Sequence, residues 1–261
     1  MSKVYNFFLD IDGTLLGRGQ TQLSQEVEKA LRFAQSKGSR IFINTGRTKA
    51  FIPKYLKELD CIDGFCCGCG TYVEYRGKTV YEFYMTREKL YELGKLFVDY
   101  KLTSDLIYEG YDNMYYIGET LPWFTANNFI KVDDPEYFLK CETEPKVHKF
   151  STHNNDDRRT SFFDDIKCDY DVMIFPHYVE GVPLGYNKGK AMKITEDLLC
   201  LDPSLSVAIG DSLNDAAMLR YAATSVAMGN ATDEVKAMCT DLTDTVDNDG
   251  VAKIIYKLMK Q

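Results

Sequence analysis

Near the start of the chain, short runs that are apolar at almost every position alternate with segments whose apolar residues recur every three or four positions. Val4 to Leu9 has the continuous apolar character of a strand buried on both faces of a parallel sheet. Ser24 to Lys37 carries Val27, Ala30, Leu31 and Ala34 at helical spacing, with Ser24 as N-cap and Gly38 as the stop. Arg40 to Asn44 reads as a second strand, Thr48 to Leu59 as a second helix and Phe65 to Cys67 as a third strand. TYVEYRGKTVYEF then reads as a hairpin turning at Arg76-Gly77. From Tyr84 to Gly181 the alternation loosens, aromatics become dense (YDNMYYIGETLPWF) and a polar stretch, HNNDDRR, appears. Alternation then returns, with helices at Lys188 to Cys200, Leu213 to Tyr221, Thr232 to Met238 and Val251 to Lys260. Strands at Ser206 to Ile209 and Ser225 to Met228 lie between them.

This pattern predicts an α/β fold: a Rossmann-like, doubly wound parallel sheet formed by residues 1–83 and 182–261, interrupted by an inserted domain at 84–181. No internal repeat or low-complexity segment breaks it. Composition leaves that picture intact, since 45% hydrophobic and 27% charged residues are ordinary for a globular chain. Charge narrows the partners. A net charge of −8 disfavours nucleic acid and anionic membranes, which select basic surfaces. A small phosphorylated metabolite needs only a local positive site. The N-terminal apolar run is short and interrupted by Asp10, so neither a signal peptide nor a membrane span is expected, and the expected location is cytoplasmic.

Eight cysteines are expected to stay reduced in that compartment. Cys66 and Cys69 make a CxxC pair, but a zinc ribbon needs a second pair, and His148, His153 and His177 are not spaced as partners. The cysteines read as small buried apolar residues. VPLGYNKGKA is not a P-loop: Leu184 stands where the first glycine belongs, and Ala191 replaces the hydroxyl residue. GDSLN is not the elbow of a serine hydrolase. The aromatic run from Tyr108 to Phe124 reads as core of the insertion in preference to a substrate lid, and His148 and His177 read as structural.

Three polar clusters fall at strand ends, where open parallel sheets bind their ligands. Asp10 and Asp12 follow the first strand; Thr45, Gly46 and Arg47 follow the second; Asp211, Asn214 and Asp215 follow the strand at Ser206 to Ile209. If those strands are neighbours, four carboxylates share one crevice. Raised pKa values or a bound cation must then relieve their repulsion. Oxygen ligands without a placed histidine favour magnesium over zinc. Lys188 adds a positive charge, and a carboxylate can itself attack phosphorus to form an aspartyl-phosphate.

FFLDIDGTL, INTGR, NKGKA and GDSLNDAAML resemble, in order, the four motifs of the haloacid dehalogenase superfamily. VAMGNATDEVKAMCTDLTDTVDNDGVAKII also resembles its Cof-type sugar phosphatase branch, and an insertion between the second and third motifs implies a type IIB, α+β cap domain. The resemblance covers most of residues 1–83 and 182–261. It implies Asp10 as nucleophile and metal ligand, and Asp12 as general acid, then base, with its backbone carbonyl on the metal. It implies Thr45 and the Gly46 amide on the phosphoryl group, with Lys188 neutralising charge and orienting Asp10. Asp211 would be the main remaining metal ligand, Asp215 would support the metal shell, and Asn214 would contact phosphate or metal-bound water.

The expected activity is therefore a Mg2+-dependent phosphatase acting on small phosphate monoesters, sugar phosphates foremost. A phosphosugar mutase or a noncatalytic phosphosugar sensor are the alternatives. One departure stands out: Cys69-Gly70-Thr71 occupies the place of the family's usual Asn-Gly-Ala, so no role passes to Cys69. Arg47 could contact substrate or bridge a carboxylate.

Overall fold

A computed structural model describes residues 3–119, 129–153, 159–175 and 177–260. The chain divides into two compact units: Met1–Arg47, Phe51–Glu82 and Asn187–Gln261 form the first, Thr48–Ala50 and Phe83–Tyr186 the second. The first unit begins with β1 (Asn6–Leu9), β2 (Arg40–Asn44) and β3 (Gly64–Cys67), followed by the hairpin β4 (Tyr72–Tyr75) and β5 (Lys78–Glu82). Arg76 and Gly77 both take positive φ, as a two-residue hairpin turn demands. The second unit holds β6 (Leu106–Gly110), β7 (Met114–Ile117), β8 (Phe129–Lys131), β9 (Val147–His153), β10 (Tyr170–Ile174) and β11 (Tyr178–Pro183). The first unit closes with β12 (Ser206–Gly210), β13 (Thr224–Ala227) and β14 (Asp241–Leu242).

In the first sheet the order is β14-β13-β12-β1-β2-β3-β4-β5. Pairing is parallel from β14 through β3 and antiparallel across the hairpin. The central strand β1 lies between β12 and β2, so the three strands bearing the predicted motifs are adjacent. All four residues of β1 are buried, which explains its lack of alternation. On one face Phe8 stacks on Phe42 at 5.0 Å and 16°, among Met192, Ala208 and Met218.

Helix α1 (Gln25–Ser36) buries Val27, Ala30, Leu31 and Ala34 and packs against α9 (Gly250–Met259). Its N-cap is Ser24, whose hydroxyl accepts the Val27 amide. The expected second helix is broken. A short 3-10 turn, Lys49–Phe51, is followed by α2 (Lys54–Glu58). Pro53 between them cannot donate a backbone bond and disfavours a helical Ile52. After the second unit, α6 (Lys188–Leu199), α7 (Ala216–Tyr221) and α8 (Asp233–Ala237) alternate with the strands. The helix expected from Leu213 begins as a 3-10 turn, Leu213–Asp215, before α7.

The second unit is a six-stranded sheet, β10-β11-β9-β6-β7-β8, antiparallel except for β7 with β8. Helices α3 (Arg87–Asp99), α4 (Tyr137–Lys140) and α5 (Arg159–Ile166) accompany it. Tyr108 and Tyr115 join its core with Phe138, Phe150 and Phe162, as the core reading of the aromatic run anticipates. Residues 120–128 of that run, and 154–158 of HNNDDRR, lie outside the described residues. His148 is buried, its Nδ1 2.8 Å from the Phe83 carbonyl oxygen. Among the described residues no helix is long and apolar enough to cross a membrane.

The Phe8–Phe42 stack couples two of the strands that carry site residues. Phe8→Ala is expected to destabilise the protein by about 3–5 kcal/mol. Urea unfolding, compared with wild type, measures it; a loss below about 1 kcal/mol would contradict a fully packed position.

Candidate active site

The site grows from the carboxyl ends of β1, β2 and β12. Asp10 follows β1 directly, its amide donating to the Ile209 carbonyl oxygen of β12 at 3.1 Å. The chain then reverses: the amides of Thr14, Leu15 and Leu16 donate to the Ile11 carbonyl oxygen, and that of Gly13 to Leu16. Gly13 is required twice over. Its φ is +84°, and a Cβ there would lie 2.3 Å from Asp211 Oδ2. The close approach lets the β1 loop meet the β12 loop, and Thr14 Oγ1 donates to Asp211 Oδ1 across the gap at 3.2 Å.

Lys188 is the centre of the arrangement. It opens α6, a helix capped by Asn187, and is fully buried. Its Nζ donates to Asp10 Oδ1 at 2.6 Å, Asp215 Oδ1 at 2.5 Å and Asn214 Oδ1 at 3.2 Å. An ammonium has three donors, so all are engaged. Asn44, the last residue of β2, donates its Nδ2 to the Lys188 carbonyl oxygen at 2.9 Å. Asp215 is equally committed: its Oδ2 accepts the amides of Asp211 at 2.9 Å and Ser212 at 3.1 Å. It therefore shapes the GDSLND loop as well as countering Lys188.

Burial dominates the electrostatics. It raises the Asp10 carboxyl to about 7 against the pull of Lys188, with Asp215 and Asp211 adding to the rise. Asp211 is raised to about 6, chiefly by burial and then by Asp215, while the Thr14 hydroxyl opposes the rise. Burial disfavours the charge on Lys188, but Asp10 and Asp215 outweigh it and hold the ammonium well above its usual range.

Asp10, Asp211 and Asp215 each present a carboxylate oxygen, and these lie within 4.8 Å of one another. This donor set is hard oxygen throughout and fits a divalent cation of the magnesium or calcium type. The cysteines do not compete for that role. Cys66 Sγ lies 3.2 Å from Thr195 Oγ1, and burial pushes its thiol up to about 12.

On the β2 side, Thr45 is buried, its amide donating to the Cys66 carbonyl oxygen at 2.9 Å. Thr45 Oγ1 accepts the Arg47 amide at 3.2 Å, which leaves its own proton to donate. Gly46 forms the bend between them. Cys69 has φ 55°, a left-handed conformation that asparagine adopts more readily, and its amide donates to the Thr45 carbonyl oxygen. The turn expected at Gly70 is present, with φ +96°.

Asp12 stands apart from the carboxylate group. Its side chain is 60% exposed and is gripped by Arg47, Nε to Oδ2 at 2.8 Å and Nη2 to Oδ1 at 2.6 Å. Of the two readings open for Arg47, the structure favours the carboxylate bridge. Reasoning from sequence missed Asn44, Thr14 and Asn230. Asn230 Nδ2 donates to the Gly13 carbonyl oxygen at 2.8 Å, and its Oδ1 accepts the Val246 amide. The only signal for Asn230 is its place in the Cof-like stretch VAMGNATDEV.

The chain is similar to known proteins along nearly its whole length. A family model described as haloacid dehalogenase-like hydrolase matches residues 7–255. The 5-amino-6-(5-phospho-D-ribitylamino)uracil phosphatase YcsE of Bacillus subtilis (strain 168) is 32% identical over 253 residues, covering 95% of this chain and 92% of its own. The pyridoxal phosphate phosphatase YbhA of Escherichia coli (strain K12) is 30% identical over 267 residues, covering 95% and 96%. The structure of the HAD subclass IIB sugar phosphatase BT4131 superposes with a TM-score of 0.82 at 24% identity, over 97% of this chain and 98% of that one. The fold is thus the α/β fold of the subclass IIB structures, cap included. The chain belongs to the haloacid dehalogenase-like hydrolase family, as one of its phosphatases.

Proposed function

We propose that the chain hydrolyses small phosphate monoesters, sugar phosphates foremost, in a Mg2+-dependent reaction through an aspartyl-phosphate on Asp10. The observation that carries this reading is the environment of Asp10. A buried lysine holds one oxygen of its carboxylate, and Asp211 and Asp215 crowd beside it. A carboxylate held in place and backed by an ammonium is suited to attack an anionic phosphoryl group, because charge neutralisation and positioning dominate that chemistry. The relatives named for a ribitylamino-uracil phosphate and for pyridoxal phosphate share one feature, a compact phosphomonoester.

In this reading Asp10 attacks phosphorus, and the bond from phosphorus to the ester oxygen breaks. Asp12 gives its proton to that oxygen, so the alcohol leaves neutral. Asp12 then accepts a proton from water as the water oxygen bonds to phosphorus. The bond between Asp10 and phosphorus breaks, and inorganic phosphate departs. The Thr45 hydroxyl, the Gly46 amide and Asn214 hold phosphoryl oxygens, while Lys188 offsets their charge and orients Asp10. Asp10, the Asp12 carbonyl and Asp211, with Asp215 supporting them, would hold a divalent cation, which would supply further positive charge for the phosphoryl group. Selection of the leaving group is assigned to the inserted second unit, from its position between the second and third motifs.

Asp10→Asn keeps the shape of the side chain and removes the nucleophile. Phosphate release from a panel of sugar phosphates should fall roughly a thousandfold or more, with the thermal unfolding transition retained. Release at near wild-type rate would exclude Asp10 as nucleophile. A second expectation concerns pH. Asp10 and Asp211 are both raised above their ordinary 3.8, to about 7 and about 6. The folded metal-free protein therefore binds more protons than the unfolded chain between those values, and its stability should fall as pH rises from about 4 to about 7. Mg2+ competes with those protons, so it should raise Tm more at about pH 8 than at about pH 5. Differential scanning calorimetry reads both effects; an equal rise at the two pH values would contradict a cation site made of these carboxylates.

A further inference from the structure

We propose that Arg47 is the positioning residue of the proton-carrying Asp12, fixing its carboxyl group by a two-pronged grip. This inference rests on the phosphatase reading above and adds a residue to it. The backbone of Asp12 is already fixed by the turn that follows β1, with Gly13 bonded to Leu16 and to Asn230. What remains free in an aspartate at this exposure is rotation about its two side-chain bonds.

Arg47 removes that freedom. Its Nε and Nη2 reach the two oxygens of Asp12 in parallel, which sets both the position and the plane of the carboxyl group. A single ammonium cannot do this. Arg47 is itself anchored at three other points. Its Nη1 donates to the Phe51 carbonyl oxygen at 3.1 Å, its amide donates to Thr45 Oγ1, and its carbonyl oxygen accepts the Gly68 amide at 2.8 Å. It thereby ties the loop after β1 to the loops after β2 and β3. The two-pronged pair is that of the ionised carboxyl group, the state that receives the proton of water; when Asp12 carries the proton, its carbonyl oxygen keeps one bond from Arg47 and the hydroxyl is left for the leaving group.

Leaving-group dependence tests this. A p-nitrophenyl ester departs without needing a proton, whereas a sugar alkoxide needs one. Both esters are measured with wild type, Arg47→Gln and Arg47→Lys, and kcat/KM is compared because it reports the step in which the leaving group departs. In Arg47→Gln the ratio of sugar phosphate to p-nitrophenyl phosphate kcat/KM should fall roughly ten- to hundredfold. Arg47→Lys should recover only part of that ratio. An unchanged ratio, with both esters losing equally or not at all, would overturn Arg47 as the positioning residue of the proton carrier. Full recovery by Arg47→Lys would overturn the two-pronged grip. If wild type turns over neither ester, the phosphatase reading fails and this inference falls with it.

Discussion

A fully buried ammonium, Lys188, is the constraint on which the rest of the site depends. Burying a lysine is costly unless every donor finds a partner and the charge is balanced. Here Asp10, Asp215 and Asn214 take its three donors. The dependence runs both ways. Asp10 is buried and lies beside two other carboxylates, and Lys188 is the main influence opposing its protonation. Removing the lysine would leave carboxylates packed together without compensation, a change that costs more than the ion pair itself contributes.

That constraint dictates how the backbone is built. The residues on Lys188 come from the loops after β1 and β12, and the lysine itself opens α6. Parallel pairing of β12, β1 and β2 brings their carboxyl ends to one edge of the sheet. Close approach then requires small residues at the crossing points. A Cβ on Gly210 would lie 2.6 Å from Asp215 Cγ, and one on Gly189 would lie 2.6 Å from the Ala217 carbonyl oxygen. The tight fit of α6 against α7, like that of the Gly13 loop against Asp211, follows from such contacts. Asn44 completes the frame by holding the Lys188 backbone from the end of β2. The core therefore holds these charges in fixed positions through its own hydrogen bonds.

Much of this was legible in the sequence, because the residues concerned sit at strand ends in short motifs. Asp10, Lys188, Asp211 and Asp215 are read from their place after apolar runs or at a helix start, and the sheet order brings those places together. Contacts that depend on tertiary proximity were not legible. Asn44 looks like the last residue of a strand, Thr14 like part of a turn, and Asn230 like a loop residue; each acts through a partner far away in sequence. A carboxylate bridge was one of two readings of Arg47, and its partner, Asp12, emerges only from the distances. Pro53 lies inside the span that reads as the second helix, and the break it imposes is local chemistry that the apolar spacing does not reveal. The second unit was the least legible. All four residues of β7 are buried, as are all five of β6, so period-two alternation is absent from strands that pair antiparallel.

The central claim is that Asp10 becomes covalently phosphorylated during turnover. The most direct measurement is acid quenching of the enzyme during hydrolysis of a sugar phosphate, followed by proteolysis and mass spectrometry. The account predicts one phosphoryl group on the peptide containing Asp10, absent from Asp10→Asn and lost on treatment with hydroxylamine, as an acyl phosphate should be. Phosphorylation of another residue, or steady release of phosphate with no modified peptide under conditions that trap acyl phosphates, would contradict it.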